Sequence, residues 1–272
     1  MSVEQPQKKL TIPEIIEYKS RGEKIAALTA YDFLMAEMLD QAGMDIILIG
    51  DSAAMVIGGF PTTLQIGMEQ MLYHSEIVAR AVKHALVVAD MPFLSFQVSE
   101  EKAIENAGRF LHETRVEAVK IEGGEQIIPL VRKMTAFGIP VMGHLGLTPQ
   151  SIRQFGSYKL QGKDPEMARR MVENAKALEQ AGAFSIVLEK IPASLAEEIT
   201  TLLKIPTIGI GAGPGCDGQI LVSHEMLGIF DKFKPRFVRR YAELGSEMRD
   251  AFGRFLKDVK KGNFPDDSES FS

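Results

Sequence analysis

Five acidic side chains stand where short apolar runs give way to loops: Asp32, Asp51, Asp90, Glu122 and Glu189. One of these runs lies within VEAVKIEGGEQ (116–126), where Lys120 and Glu122 precede two glycines. Alternate side chains of a strand share a face, so Lys120 and Glu122 point one way and Ile121 the other. Buried charge is costly unless it is paired or bound to something. Neighbouring strands lie about 4.8 Å apart, so Asp51, Asp90 and Glu122, from consecutive runs, can converge on one spot. Two carboxylates about 4 Å apart repel by roughly 4 kcal/mol at an effective dielectric of about 20; three together require a cation or bound protons. The donors are all oxygen, with no Cys or His cluster nearby, which selects a hard cation over zinc. Magnesium fits, because it takes one or two carboxylates and leaves positions for water and substrate oxygens. Lys120 adds a positive charge beside the metal, suited to the carboxylate of an anionic substrate. The plainer reading of any single acid here is a turn residue or helix cap, as at Asp51 before Ser52 and Asp90 before Met91-Pro92.

The runs that must position these groups are rich in Ile, Val and Leu: 24–30, 45–50, 85–90, 117–122, 138–145, 184–189 and 205–211. Near-continuous hydrophobicity is the mark of strands covered on both faces. Helices fit between them. Residues 68–86 carry apolar side chains at a 3- and 4-residue spacing, Ser99 caps a helix over 100–114, and Asp164-Pro165 opens one that Gly182 follows. Further helices are expected over 192–203, 236–262 and, capped by Thr11, at 11–22. An eighth strand is placed at 219–224, before the last helix. Repeated βα units imply a parallel sheet, and count and length fit a (β/α)8 TIM barrel with an extra N-terminal helix; the runner-up is a doubly wound open sheet. Gly213, Gly215 and Gly218 formally match a dinucleotide fingerprint, but late in the chain and with no acid about 20 positions on.

At 272 residues, 45% apolar and 25% charged, the chain reads as one domain, 1–272, with disordered-looking ends at about 1–8 and 265–272. A net charge of -5 gives no reason to expect nucleic acid or an anionic membrane as partner. The single cysteine, Cys216, rules out an internal disulfide framework and favours a reducing, cytoplasmic setting. The N-terminus lacks a signal-peptide apolar core, and no run is long enough to span a bilayer. Of the histidines, His74, His84 and His112 fall in helix patterns, His224 is ambiguous, and His144 alone lies at the barrel mouth. Glu189, read by itself, is as well a capped loop acid as a base.

The combination LTAYD, GDS, VKIEGGE, GHLGLTPQS, YKLQGK, GIGAG and DGQILV resembles the ketopantoate hydroxymethyltransferase family, over about residues 11–271. The resemblance implies a barrel of the phosphoenolpyruvate-type superfamily. It also implies a magnesium-dependent transfer of a one-carbon unit from 5,10-methylenetetrahydrofolate to 3-methyl-2-oxobutanoate, giving 2-dehydropantoate for pantothenate and coenzyme A synthesis. By motif, Asp51 and Asp90 match the direct metal ligands and Glu122 the third acid of the metal site. Ser52 and Lys120 match substrate-contacting positions, and Glu189 matches the proton acceptor. The family also implies a homodecamer. Phe60, Pro61, Gln65, Phe96, Pro214, Cys216 and Glu225 depart from the family pattern but touch none of the carboxylates.

In the chemistry these residues suggest, Asp51 and Asp90 hold the metal on the ketone and carboxylate oxygens, and Lys120 and Ser52 address the substrate carboxylate. A base within about 3 Å takes the C3 proton. Glu189 is preferred on the family match, with His144, also at the substrate, as competitor. A folate-independent 2-oxo-acid lyase or mutase and an inactive barrel scaffold are the rival functions.

Overall fold

Strand phase decides what faces the middle of this protein. In each apolar run one alternate set of side chains packs inward and the other outward against helices. The computed structural model describes residues 8–231 and 235–271. The strands are β1 (Ile25–Thr29), β2 (Ile46–Ile49), β3 (Leu86–Asp90), β4 (Ala118–Glu122), β5 (Val141–Gly146), β6 (Ser185–Glu189), β7 (Thr207–Ile210) and β8 (Gly218–Leu221). They close, all parallel and in chain order, into an eight-stranded barrel. The inner cluster includes Ile46, Leu48, Leu86, Val88, Ala118, Met142, Val187 and Ile208; the outer one includes Ile47, Ile49, Val87, Ala89, Val119, Ile121, Ile186 and Leu188. Continuing the inner rows upward gives Gly50, Asp90, Lys120, Glu122, His144 and Glu189.

The helices are α1 (Ile12–Arg21), α2 (Phe33–Gln41), α3 (Ala53–Val56), α4 (Met68–Ala81), α5 (Glu100–Thr114), α6 (Ile128–Ala136), α7 (Ile152–Phe155), α8 (Pro165–Gln180), α9 (Ala193–Leu202), α10 (Ser223–Met226) and α11 (Leu244–Lys261). Helix α1 is the expected extra element. Its Ile12, Ile16 and Tyr18 pack on the inner cluster and Ile15 is fully buried. Leu10 N donates to His84 O at 2.7 Å, on the loop entering β3, so this segment lies at the N-terminal mouth. Thr11 is at the cap position, but both its N–H and its hydroxyl donate to Glu14.

Several details differ from the pattern reading. The window 219–224 is strand only to Leu221, because Ser223 already begins α10. The last long helix begins at Leu244 rather than 236. Periodicity does not single out helices α2 and α6. In α2, Leu34 and Met38 are exposed, which blurs its apolar stripe. No described helix separates β7 from β8, so the glycine run joins strand to strand and lacks the helix a dinucleotide fingerprint requires. Gly218 is needed for closure: a Cβ there would stand 2.5 Å from Ile25 O on β1.

By packing, the chain divides into Met1–Leu221, which holds the barrel, and Val222–Ser272, which holds α10 and α11. Within the second unit, Tyr241 N donates to Met226 O at 2.8 Å and Leu244 N to Leu227 O at 3.0 Å. Of the ends expected to lack regular structure, residues 1–7 and Ser272 lie outside the described residues. Lys8 pairs with Glu14 at 2.8 Å, and Asp267–Glu269 forms a 3-10 turn capped by Asp266. No helix among the described residues is long and apolar enough to cross a membrane.

Candidate active site

Parallel pairing sets the site's horizontal order. Asp90 of β3 is in register with Lys120 of β4, and Glu122 of β4 with His144 of β5; Glu189 of β6 is level with Gly146. The charged groups thus form two storeys at the C-terminal mouth, with Asp51 one residue past Gly50 at the end of β2. Asp51, Asp90 and Lys120 are each 4% exposed, Glu122 6% and His144 2%. Asp32, the remaining strand-end acid, takes no part. It is exposed and caps α2, accepting from Met35 N at 2.9 Å.

Lys120 Nζ lies 2.7 Å from Asp90 Oδ1 and 3.2 Å from His144 Nδ1. Asp51 N donates to Asp90 Oδ2 at 3.1 Å. His144 bridges two acids, with Nδ1 3.3 Å from Glu122 Oε1 and Nε2 3.3 Å from Glu189 Oε2. An ammonium can only donate, so Lys120 makes His144 Nδ1 an acceptor and leaves the ring proton on Nε2, on the Glu189 side of the ring but without hydrogen-bond geometry to it.

The electrostatics follow from burial. Desolvation, then Asp90 and Glu122, hold the Asp51 carboxyl well above the usual range. Desolvation likewise pushes Glu122 up to about 7, against Lys120 and the Gln150 N–H. Burial lowers the proton affinity of Lys120, but Asp90, Glu122 and Asp51 more than offset it and keep the ammonium charged. His144 is held below its ordinary value by burial and then by Lys120, so the ring is neutral. Glu189 is raised by burial, against the opposing His144 hydrogen bond.

Three buried carboxylates facing one ammonium make an electron-rich pocket. Among the described residues, no three His, Cys, Asp or Glu side chains converge closely enough to enclose an ion. Lys120 stands against Asp90, and Gln150 and His144 occupy Glu122. The donor set still fits a hard divalent cation held by a pair of acids. Asp90 Oδ1 is buried without a hydrogen bond of acceptable geometry, despite its ion pair. Gly50 leaves open the space where a Cβ would stand 2.5 Å from Ser52 Oγ and 3.7 Å from Asp90 Oδ2. Asp51 and Asp90 are therefore the residues able to hold such an ion, with Glu122 close by.

Sequence reasoning missed the groups that support this cluster. Tyr31, 1% exposed, places its hydroxyl 2.8 Å from Ser52 Oγ, and His74 Nδ1 lies 2.7 Å from Tyr31 O. Gln150 reaches Asp51 and Glu122 at once. Neither is in a strand, so no alternation marks them; only their places in LTAYD and GHLGLTPQS hinted at a role. Two further histidines have other surroundings: His84 Nδ1 is 2.8 Å from Lys8 O, and His112 is exposed in the last turn of α5.

Solved structures share this architecture at low identity. A phosphonopyruvate hydrolase, solved with oxalate and Mg++, superposes with a TM-score of 0.64 at 14% identity, covering 96% of this chain and 93% of its own. A 2,3-dimethylmalate lyase of the PEP mutase/isocitrate lyase superfamily gives 0.60 at 18% identity, covering 96% and 91%. At such identity these matches speak for the fold alone. Sequence relatives go further. A 3-methyl-2-oxobutanoate hydroxymethyltransferase of Syntrophus aciditrophicus (strain SB) is 52% identical over 271 residues, covering 100% of both chains. One of Prosthecochloris aestuarii (strain DSM 271 / SK 413) is 53% identical over 266 residues, covering 96% of each. The family model for ketopantoate hydroxymethyltransferase matches residues 9–267. The chain accordingly belongs to the ketopantoate hydroxymethyltransferase family.

Proposed function

We propose that this enzyme transfers a hydroxymethyl group to 3-methyl-2-oxobutanoate, giving 2-dehydropantoate in pantothenate biosynthesis. The donor is 5,10-methylenetetrahydrofolate, and Mg2+ is held by Asp51 and Asp90 with Glu122 as the supporting acid. The observation that carries the reading is the arrangement of Asp51, Asp90 and Glu122 around Lys120, with Glu189 beyond His144 and still 15% exposed at its side chain. A divalent cation there supplies Lewis-acid polarisation of the 2-oxo group, which makes the neighbouring C3–H more acidic.

The chain's own groups do the rest. Lys120, kept charged by its acidic neighbours, binds the substrate carboxylate. Ser52, its hydroxyl fixed by Tyr31, borders the same end of the pocket. Glu189 takes the proton from C3. Burial raises its proton affinity, whereas His144 is depressed and has its bare nitrogen turned to Lys120. His144 instead keeps Nε2 3.3 Å from Glu189 Oε2, a close polar contact without hydrogen-bond geometry, and borders the carboxylate on the side away from Lys120. The carbon nucleophile forms a bond to the folate methylene carbon and water supplies the hydroxyl, while both methylene–nitrogen bonds break and tetrahydrofolate leaves, its two nitrogens taking up the proton lost from C3 and one from water. From the family resemblance we take the assembly to be a homodecamer acting in the cytoplasm.

The test is a coupled assay for 2-dehydropantoate with Mg2+ or with chelator, and with or without methylenetetrahydrofolate. Activity that persists in chelator removes the metal from the mechanism. A keto-acid product formed without the folate points to a lyase or mutase instead.

A further inference from the structure

The turn after β5 carries a neutral amide into the acidic cluster. Gln150, 6% exposed, lies in the 3-10 turn Pro149–Ser151. Its Nε2 donates to Asp51 Oδ2 and to Met91 O, both at 2.9 Å. Its backbone N–H donates to Glu122 Oε2 at 2.9 Å. One residue thus touches Asp51, the carbonyl of Met91 next to Asp90, and Glu122, which come from three different strand ends. A backbone carbonyl only accepts, so Met91 O fixes which end of the amide is nitrogen. Both protons of that nitrogen are then used, and Gln150 Oε1 turns away to accept from Gln97 Nε2 at 3.1 Å. Gln97 sits in the loop between β3 and α5. That loop is itself tied down by Asn106 Nδ2 donating to Ser95 O at 2.6 Å.

We propose that Gln150 is a positioning residue that fixes the Asp51 carboxylate for the divalent cation, with Gln97 holding the Gln150 amide in the required orientation. The inference rests on the metal site proposed above. A carboxylate swinging freely on its Cα–Cβ and Cβ–Cγ bonds must be ordered when it takes up a cation. One already held through Oδ2 has lost that freedom beforehand. The backbone bond to Glu122 does not depend on the side chain, so Gln150→Met separates the two contacts and releases Asp51 alone.

The experiment is calorimetric titration of Mg2+ into the metal-free full-length protein, with thermal unfolding and steady-state kinetics alongside. Gln150→Met is expected to bind Mg2+ about 10- to 100-fold more weakly, the usual effect of removing a group that orients a metal ligand. Its kcat should recover at saturating Mg2+, a recovery that a merely structural defect would not show. A folded Gln150→Met that binds Mg2+ as wild type overturns the inference. Should that variant not fold, Gln97→Met serves: loss of one neutral hydrogen bond predicts binding about 2- to 10-fold weaker, and unchanged affinity overturns the proposal equally. Asp51→Asn separates the two levels. If it binds Mg2+ as tightly as wild type, or if wild type binds none, the metal-site reading falls and this inference with it. If binding is lost in Asp51→Asn but intact in Gln150→Met, the inference alone falls.

Discussion

Replacing Glu189 by Gln removes a proton acceptor and almost nothing else. The amide oxygen of Gln can occupy the place of Glu189 Oε2, 3.3 Å from His144 Nε2, and keep the same polar contact. His144 therefore keeps its position and tautomer. No substitute base is at hand. His144 Nδ1 faces Lys120 Nζ at 3.2 Å, and Gln150 engages both Asp51 and Glu122. General-base catalysis contributes typically about 10²–10⁴-fold, equivalent to roughly 3–5.5 kcal/mol in the barrel's deprotonation step. The assay is exchange of the C3 proton of 3-methyl-2-oxobutanoate with deuterium oxide, followed by proton NMR with Mg2+ and without folate. Glu189→Gln should slow exchange by that factor, while calorimetric affinity for the keto acid stays within about twofold. Stability should hold or rise, since a buried acid of raised proton affinity is removed. The pH dependence has a defined sign. Because Glu189 titrates above the usual carboxylate value of about 4.3, wild-type kcat/KM falls as pH drops through that raised value, and the variant lacks this acid limb. Exchange within about threefold of wild type would refute the reasoning that burial makes Glu189 the effective base.

Lys120→Met leaves buried carboxylates without their counter-charge, and should cost about 3–5 kcal/mol in urea unfolding at pH 8. The loss should shrink toward pH 5. With the lysine gone, Glu122 loses the charge that held its value down to about 7 and titrates higher; the folded variant then binds more protons than the unfolded chain, so its stability falls as pH rises from 5 to 8, and a pH-independent loss contradicts the charge argument. Gly50→Ala puts a methyl 2.5 Å from Ser52 Oγ. It should lower kcat/KM about tenfold or more by disturbing the metal-facing space, with little change in Tm, and unaltered kinetics would show that space to be idle. Gly218→Ala forces a Cβ to 2.5 Å from Ile25 O across the β1–β8 seam. Overpacking there should destabilise by about 1–3 kcal/mol, and a neutral unfolding midpoint would mean the seam yields freely.

Much of the site was legible because strand phase is a local property. Successive Cβ atoms alternate whatever lies around them. The order Leu86, Val88, Asp90, the order Ala118, Lys120, Glu122, and the step from Val187 to Glu189 therefore announce inward rows turning polar at one end. Near-continuous apolar runs repeated with helices between them announced a parallel barrel for the same reason. The missed helices show where local signals fail. Leu34 and Met38 put apolar groups on the exposed face of α2, and α6 follows directly on the 3-10 turn Glu125–Ile127.

What the sequence determined, then, was which side chains could share the barrel mouth and what charge they would bring. Tertiary structure decided their partners. Register set Asp90 beside Lys120 and Glu122 beside His144. Closure and the path of the β5 turn brought Gln150 onto Asp51, 99 residues away in the chain. The physical reason is that alternation is written into each residue's own geometry. The distance between groups on different strands, and hence whether a charge is paired, depends on how all eight strands and their loops close together.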